Sequence, residues 1–239
     1  MNRNSPLFTA AVIGTVILVS FGFWQVQRLT AKQALIAQLE ARQHAPVTGV
    51  PSEAEWRSLE PDDYEYRHVA VVGTYQTAQS ALVYRGGSPN APGEGPGYHV
   101  ITPLRLPDGS TILVNRGFVP QDKADEARAN VPDGAVSVTG LMRSPEARNT
   151  FTPADEPQKG VWYTRDPASI AAQSKLTHVA PFTVDADADP KAKGWPRPGA
   201  TVVDIPNNHL SYALTWFGLA LALVGVTFVY WRNQRRAGQ

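Results

Sequence analysis

The sequence contains no cysteine among its 239 residues. Disulfide bonds, thiolate metal sites and cysteine nucleophiles are therefore excluded together. Charged residues make up only 18% of the chain, and the formal net charge is +1. Soluble domains usually contain about 25% charged residues. Because a nucleic-acid-binding protein usually has a basic patch or stripe, the composition argues against that class.

The few charges are distributed unevenly along the chain. Residues 1–27 and 205–239 contain four of the 22 basic residues and none of the 21 acidic ones. The two ends therefore carry +4, and the segment between them carries −3. The sequence thus consists of two apolar ends around a polar, slightly acidic middle, which is unusual for a soluble enzyme.

The first apolar segment is long enough to span a membrane. Pro6–Val26 contains 21 residues without a charge. A helix of that length covers about 30 Å, the thickness of the hydrocarbon core of a bilayer. A signal peptide has a shorter apolar region followed by a small-residue cleavage site. Since the segment ends on Phe23, Trp24 and Gln25, we expect a retained membrane anchor.

The second apolar segment, Leu210–Trp231, ends on two aromatic residues and is followed by Arg232, Arg235 and Arg236. Because basic residues next to a span stay on the cytoplasmic side, both termini are predicted to be cytoplasmic and the middle to be outside. With no transit peptide before Pro6, the predicted setting is a bacterial inner membrane with the middle in the periplasm. The predicted divisions are a cytoplasmic N-terminus (1–5), a first span (6–27), a β-rich domain (28–206), a second span (207–231) and a basic tail (232–239).

The middle segment is predicted to be one β-rich domain. Thr30–Arg42 consists of helix formers and should extend the first membrane helix outward. After Pro46, short β-branched runs alternate with turn residues, which predicts an α+β domain with a small antiparallel barrel or curled sheet. The predicted strands are Val69–Val72, Ala81–Tyr84, Tyr98–Leu104, Thr111–Asn115, Val136–Leu141, Val161–Thr164, Val179–Val184 and Thr201–Asp204.

Local turn and cap residues refine this prediction. Leu104–Val114 should form a hairpin with Asp108 and Gly109 in its turn. Pro167–Ser174 should form a helix capped by Asp166. Gly86–Gly97 contains five glycines and three prolines, so it is either a plain hairpin loop or a mobile flap.

No residue pattern nominates an enzyme. The five histidines show no zinc-binding spacing, and the sequence contains neither a G-x-S-x-G elbow nor a P-loop. Alternating Asp185, Asp187 and Asp189 lack the glycine and glutamate of a calcium loop, so a solvated loop is favoured. A periplasmic hydrolase would depend on His99 or His178 with an acidic neighbour.

His209 differs from the other histidines because it lies where the second span begins. Helical spacing places Tyr212 and Trp216 on its face. Two antiparallel spans bring Trp24, Gln25 and Arg28 to about the same depth. These groups suit a haem: an imidazole can bind its iron, aromatic side chains can pack against its macrocycle, and an arginine can pair with its carboxylates. The alternative is an ordinary membrane boundary with an aromatic belt and a snorkelling arginine, and the residues alone favour it, since a lone histidine does not make a site.

Several motifs resemble one known family in order. They are Phe21-Gly22-Phe23-Trp24-Gln25 with Arg28 and Lys32, Val69-x-Val71-x-Gly73-x-Tyr75, residues 97–104 leading to 113–120, residues 138–143, residues 162–166, and residues 207–217. This pattern resembles the Surfeit-locus protein 1 family of membrane-anchored assembly factors for cytochrome c oxidase. Phe21 and Phe118 replace residues that are more often Leu and Trp in that family.

The resemblance implies a haem a chaperone that is not an enzyme. His209 would be the axial ligand of the haem iron, Trp24 and Trp216 the walls, and Arg28 a propionate partner. Tyr212 and Gln25 would supply hydrogen bonds. The haem would be held noncovalently, either stably or only in transit. The implied partners are the catalytic subunit of the oxidase, haem a synthase and membrane lipid, with no nucleic acid.

The alternative hypothesis is a cofactor-free scaffold that holds an oxidase subunit during assembly. Asn115, Arg116 and Gly117, after a strand end, would then form the partner surface. The same three residues could equally be a hairpin corner that an arginine hydrogen bond holds in place.

Overall fold

A computed structural model describes residues 5–86, 95–199 and 207–237 of the protein. The chain divides into two compact units, and each is described by itself. Residues 1–38 and 204–239 form a helical unit, and residues 39–203 form a sheet domain. The helices are α1 Ser5–Gln43, α2 Pro61–Tyr64, α3 Ala124–Ala129, α4 Pro167–Gln173 and α5 His209–Ala237.

The two long helices, α1 and α5, are long and apolar enough to cross a membrane. Most of their large apolar side chains are exposed, which is what a bilayer rather than water would accept. The predicted extension of the first span is confirmed, because α1 continues without a break as far as Gln43. The fold class of two membrane helices flanking a β-rich domain is therefore confirmed.

The domain contains one sheet of eight strands in the order β1-β2-β6-β8-β5-β4-β3-β7. The strands are β1 Thr48–Gly49, β2 His68–Tyr75, β3 Ala81–Arg85, β4 Gly97–Arg105, β5 Thr111–Pro120, β6 Ala135–Arg143, β7 Val161–Trp162 and β8 Val179–Ala186. The sheet curls so far that the end of β2 also pairs with β4, through Thr74↔Arg105 and Tyr75↔Leu104. The predicted curled sheet is thus observed, and it is not a fully closed barrel.

The sheet is mixed rather than purely antiparallel. The pairs β1–β2, β3–β7 and β5–β8 are parallel. Strand β8 can lie parallel to β5 because the long connection between them, which includes β6, β7 and α4, carries the chain back across the sheet. Short-range turn patterns do not reveal such connections, so the sequence indicated only antiparallel neighbours.

Strand β5 is the centre of the core. Its residues Thr111–Val119 are all buried, so both of its faces are covered. Ile112 and Val114 pack into one apolar cluster with Phe182, whereas Leu113 packs into another with Trp162. Any side chain at the end of β5 is therefore held by a rigid, two-sided core.

Most local predictions of the domain are confirmed. Gly109 has φ +87° in the β4–β5 turn, and Asp108 accepts a hydrogen bond from the backbone of Ser110. Asp166 caps α4 by accepting from the backbone N–H of Ala168 at 3.0 Å. Three elements were missed, the two-residue β1 and the short helices α2 and α3. The predicted strand Thr201–Asp204 and most of the Gly86–Gly97 loop lie outside the described residues.

The prediction of a solvated loop at Asp185 is wrong. Asp185 lies in β8 with only 3% of its side chain exposed, and it pairs with Arg143 at 3.1 Å. Asp187, two residues further on, is paired with His68. Local sequence does not indicate this burial, because the arginine partners, Arg143 of β6 and Arg165, are distant in the chain.

Candidate functional site

The site begins with the packing of α1 against α5 inside the helical unit. The helices are antiparallel, because Phe8 contacts Tyr230 near one end and Gln25 contacts His209 near the other. Small residues, Gly22 in α1 and Ala213 and Ala220 in α5, are buried at the contact. Small residues allow helix backbones to approach closely in a membrane.

His209 is joined directly to Gln25 at this contact. Nδ1 of His209 lies 2.7 Å from Oε1 of Gln25, and the Gln25 residue is 8% exposed. A carbonyl oxygen can only accept, so Nδ1 carries the proton and donates it. In a neutral imidazole the other nitrogen, Nε2, then keeps its lone pair. The predicted proximity of these two residues is observed.

The aromatic residues of the candidate site form two separate pairs. The guanidinium of Arg28 lies 5.7 Å from the ring centre of Trp24. Trp216 stacks on Phe21, with ring centres 5.0 Å apart and planes at 29°. Phe21 was missed as a site residue, although its helical spacing to Trp24 and Gln25 would have indicated it.

An apolar groove of about 390 Å³ runs along α1 beside these aromatic residues, lined by Val16, Ile17, Ser20, Phe21 and Trp24. Trp24 is 47% exposed, and the Tyr212 side chain is also largely exposed. A larger groove of about 1170 Å³ lies at the opposite end of the helix pair, around Phe8 and Trp231, and no histidine lines it. The candidate site is therefore the end that contains His209.

The residues at this end fit a haem. His209 offers a neutral nitrogen ligand, the apolar groove and Trp24 offer a surface for the macrocycle, and the exposed Arg28 offers a cation to a carboxylate. Trp216 lies against Phe21 and extends the aromatic surface. Because Oε1 of Gln25 is engaged by His209, Gln25 would act on a bound haem through that histidine.

The three residues predicted as a partner surface are buried instead. Asn115 and Arg116 are 2% and 9% exposed. Between the pairs Ile101↔Asn115 and His99↔Phe118, β5 contains one more residue than β4, so Arg116 and Gly117 lie in a β-bulge. Gly117 has φ +119°, and a Cβ there would lie 1.9 Å from the carbonyl oxygen of Arg197. The buried side chains of Asn115 and Arg116 therefore stabilise the fold and present no surface to a partner.

Arg116 instead closes the end of a helix. Its guanidinium donates to the carbonyl oxygens of Ala127 and Asn130, at the carboxyl end of α3. The same group lies 5.4 Å from the ring centre of Tyr75. A cation at this position complements the negative end of the helix dipole. The alternative interpretation, a corner held by an arginine hydrogen bond, describes this geometry.

Asn115 belongs to a buried polar cluster of the domain. Its Nδ2 donates to Asp185 at 3.0 Å and lies 3.3 Å from Nδ1 of His99. Asp185 also pairs with Arg143 and Arg165. Although burial raises the pKa of Asp185, these two guanidinium groups hold it below its usual value. The carboxylate therefore stays charged inside the domain.

His99 lies at the edge of this cluster. Its Nδ1 accepts from Nε of Arg85 at 3.3 Å, because a guanidinium can only donate. Burial and the neighbouring Arg85 lower the pKa of His99 to about 4. A neutral histidine with Nδ1 occupied in this way is a structural acceptor rather than a general base, which removes one of the two residues on which a hydrolase would depend.

Two of the remaining histidines are paired with carboxylates, and Nδ1 of the third, the exposed His44, lies 2.8 Å from the backbone oxygen of Glu40. His178 lies 2.7 Å from Glu53 with both side chains about half exposed, and His68 lies 2.7 Å from Asp187. Within residues 5–86, 95–199 and 207–237, no group of three or more His, Asp or Glu residues could hold a metal ion. Among the described histidines, His209 is therefore the best placed to bind a ligand at a membrane helix.

Comparison with known proteins shows one consistent similarity. The model of the SURF1 family matches residues 12–221. The chain is 36% identical over 214 residues to Surfeit locus protein 1 of Mus musculus, covering 84% of this chain and 68% of that protein. It is 34% identical to Surfeit locus protein 1 of Homo sapiens over 221 residues, covering 87% and 71%. A SURF1-like protein of Monosiga brevicollis is 33% identical over 248 residues, covering 99% and 90%.

Proposed function

The chain belongs to the SURF1 family, and on that basis we propose that it is an assembly factor for haem-copper cytochrome c oxidase that carries haem a. The haem a, its cargo, is bound at the outer boundary of the membrane that α1 and α5 span, and is delivered to the catalytic subunit of the oxidase. The observation that carries this proposal is the 2.7 Å contact between His209 and Gln25. It leaves Nε2 of His209 free to bind iron.

Each residue of the site has a separate part in holding the cargo. His209 would hold the haem iron through its imidazole, and Trp24 and Trp216 would pack against the macrocycle. Arg28 would pair with a propionate, and Tyr212 would offer a hydroxyl at the exposed edge. No covalent step by the protein is needed to hold such a cargo.

The open character of the site suits a carrier. Trp24 and Tyr212 are about half exposed, and the groove beside them is open along α1. A ligand that is covered on one side only can be transferred to a second protein without unfolding the first. Noncovalent binding follows from the absence of cysteine, since no thioether attachment is available.

The proposed location is a bacterial inner membrane, which the chain crosses twice. The cluster of Arg232, Arg235 and Arg236 after α5 supports a cytoplasmic tail and, with two spans, a periplasmic location of residues 28–206. Haem a synthase is a second proposed partner, as the source of the cargo, and membrane lipid surrounds α1 and α5.

An absorption spectrum tests the proposal. The full-length protein is purified in detergent from cells that make haem a, together with His209→Ala and the control His44→Ala. His44 is exposed and lies beyond the apolar part of α1. We expect a Soret band for the wild type and for His44→Ala, and its loss in His209→Ala.

Two outcomes would overturn the proposal. A wild type without a Soret band would contradict haem binding, and an unchanged band in His209→Ala would contradict this ligand. The haem a content of the catalytic subunit from cells with each variant tests delivery. If that content stays normal with His209→Ala, the scaffold hypothesis replaces the carrier, although the burial of Asn115 and Arg116 deprives it of the surface expected from the sequence.

A further inference from the structure

Gln25 is a polar side chain buried on a helix that otherwise exposes apolar groups. It is 8% exposed, whereas its neighbours Phe23 and Trp24 are 61% and 47% exposed. A buried amide without a hydrogen-bond partner is costly, and in a membrane helix water does not replace the partner. Its Oε1 is satisfied by His209. The pair is therefore a specific polar contact within an apolar helix interface.

Small residues near Gln25 and His209 allow the two helices to approach closely at this contact. Gly22, one turn earlier on α1, allows the two helices to approach so closely that an added Cβ would touch Phe217. Ala213, one turn after His209 on α5, is also buried at the contact. Small residues on both helices thus allow Gln25 and His209 to come within hydrogen-bond distance.

The chemistry of the Gln25 acceptor distinguishes it from a carboxylate partner. Metal-binding histidines donate the second N–H to a carboxylate, a backbone carbonyl or water, and a carboxylate both orients the ring and raises its basicity. An amide oxygen accepts the same hydrogen bond but has no net charge. The amide therefore orients the imidazole ring but strengthens its bond to a metal less than a carboxylate would.

We propose that Gln25 is a positioning residue that holds His209 in its Nδ1–H tautomer, and that its neutral amide keeps the iron ligand releasable. The first part concerns the protein without haem. The second part rests on the proposed function, since it needs haem as the cargo. A carrier benefits from this arrangement because it must present Nε2 in advance and must also give up what Nε2 binds.

The tautomer is measured on the haem-free, full-length protein in detergent with ¹⁵N-labelled histidine. The side-chain nitrogen and ring-proton correlations distinguish the two tautomers at each of the five histidines. We expect Nδ1–H at His209 and, as an internal reference, the opposite Nε2–H tautomer at His99, whose Nδ1 accepts from Arg85. An Nε2–H signal at His209 in the wild type would overturn the proposal.

Two substitutions isolate the role of the amide. Gln25→Leu keeps a similar size but removes the acceptor, so His209 should become a mixture of both tautomers. Gln27→Leu is the matched control, since Gln27 is exposed on the same helix, and it should leave the His209 signal unchanged. A single Nδ1–H tautomer in Gln25→Leu would show that another group fixes the ring.

Releasability is measured as the rate at which loaded protein loses haem to an excess of apomyoglobin. Removing or strengthening a partner of this kind changes metal affinity about 10- to 100-fold. We expect Gln25→Glu to slow the loss by at least about tenfold and Gln25→Leu to accelerate it. Equal rates for Gln25 and Gln25→Glu would overturn this part.

The two measurements fail independently. If the wild type binds no haem, the proposed function fails while the tautomer of His209 is still read from the haem-free protein. If the wild type binds haem but Gln25→Leu changes neither the tautomer nor the rate of loss, the carrier function stands and the role of Gln25 is refuted.

Discussion

Gly22 of α1 lies so close to Phe217 of α5 that a Cβ at position 22 would be 2.5 Å from ring carbon Cε1. The close approach of the helices at this point is the geometric basis of the candidate site.

Gly22→Val should therefore separate the helices. Overpacking of a tight contact costs about 1–3 kcal/mol, and unfolding of the full chain by a denaturing detergent, followed by circular dichroism, measures it. Gly218→Val is the control, since no atom lies within 4 Å of a Cβ at that position. Combining Gly22→Val with Phe217→Ala should restore part of the loss; strictly additive effects would refute the contact.

Asp185→Asn should destabilise the domain strongly. The substitution leaves the guanidinium groups of Arg143 and Arg165 without their shared carboxylate, and breaking a buried pair typically costs about 3–5 kcal/mol. Asp187→Asn is the matched control, because its pair with His68 is partly exposed and surface pairs contribute about 0–1 kcal/mol. Equal losses in chemical unfolding would mean that the cluster is not stabilising.

The domain should lose stability as the pH falls from about 6.5 to about 4. Burial and Arg85 lower the pKa of His99 to about 4, from the 6.5 of a free side chain. In that pH range the unfolded chain binds a proton that the folded chain does not, so acid favours unfolding by up to about 3 kcal/mol. Above pH 6.5 this histidine should have no effect.

The control for this pH dependence is His99→Gln, whose side-chain oxygen can still accept from Arg85. Hydrogen exchange of β4 in the full-length protein reports the local stability at each pH. The groups around His99 also include Arg165, Asp185 and Glu146. If the variant retains the whole decline between pH 6.5 and 4, those carboxylates rather than His99 cause it.

Gly117→Ala should destabilise the domain more than a glycine replacement in an open turn. At Gly117 a Cβ meets both a φ of +119° and the carbonyl oxygen of Arg197, so we expect a loss of about 3 kcal/mol. Gly134 also has a positive φ, +76°, but no atom within 4 Å, and Gly134→Ala should cost about 1 kcal/mol. Thermal unfolding compares them, and equal costs would show that the bulge can relax.

The sequence predicted the features that short stretches determine by themselves. The Asp108-Gly109 turn and the Asp166-Pro167 helix start are local patterns, and both are present. The two membrane helices follow from runs of apolar residues, and their antiparallel packing follows from their order around the domain. Helical spacing also placed Gln25 and His209 at the same depth, although the haem that they would bind remains a prediction.

The features that the sequence did not predict depend on residues far apart in the chain. Asp185 was predicted as one of three aspartates in a solvated loop, but Arg143 of β6 and Arg165, both distant in sequence, pair with it inside the domain. Asn115 and Arg116 were predicted as a strand-end surface, because nothing local shows that Asn115 binds Asp185 and that Arg116 binds the end of α3. The parallel pairing of β5 with β8 has the same origin, since it is set by a long connection.

The hydrogen bond between Gln25 and His209 also has a consequence for biosynthesis. The two residues are 184 positions apart, with the whole domain between them. The ribosome therefore synthesises α1 first, and the Gln25 side chain lacks His209 as its partner until α5 is inserted. If His209 binds the cargo as proposed, a chain truncated before residue 209 lacks this ligand, and the ability to take up cargo would report that synthesis has passed that residue.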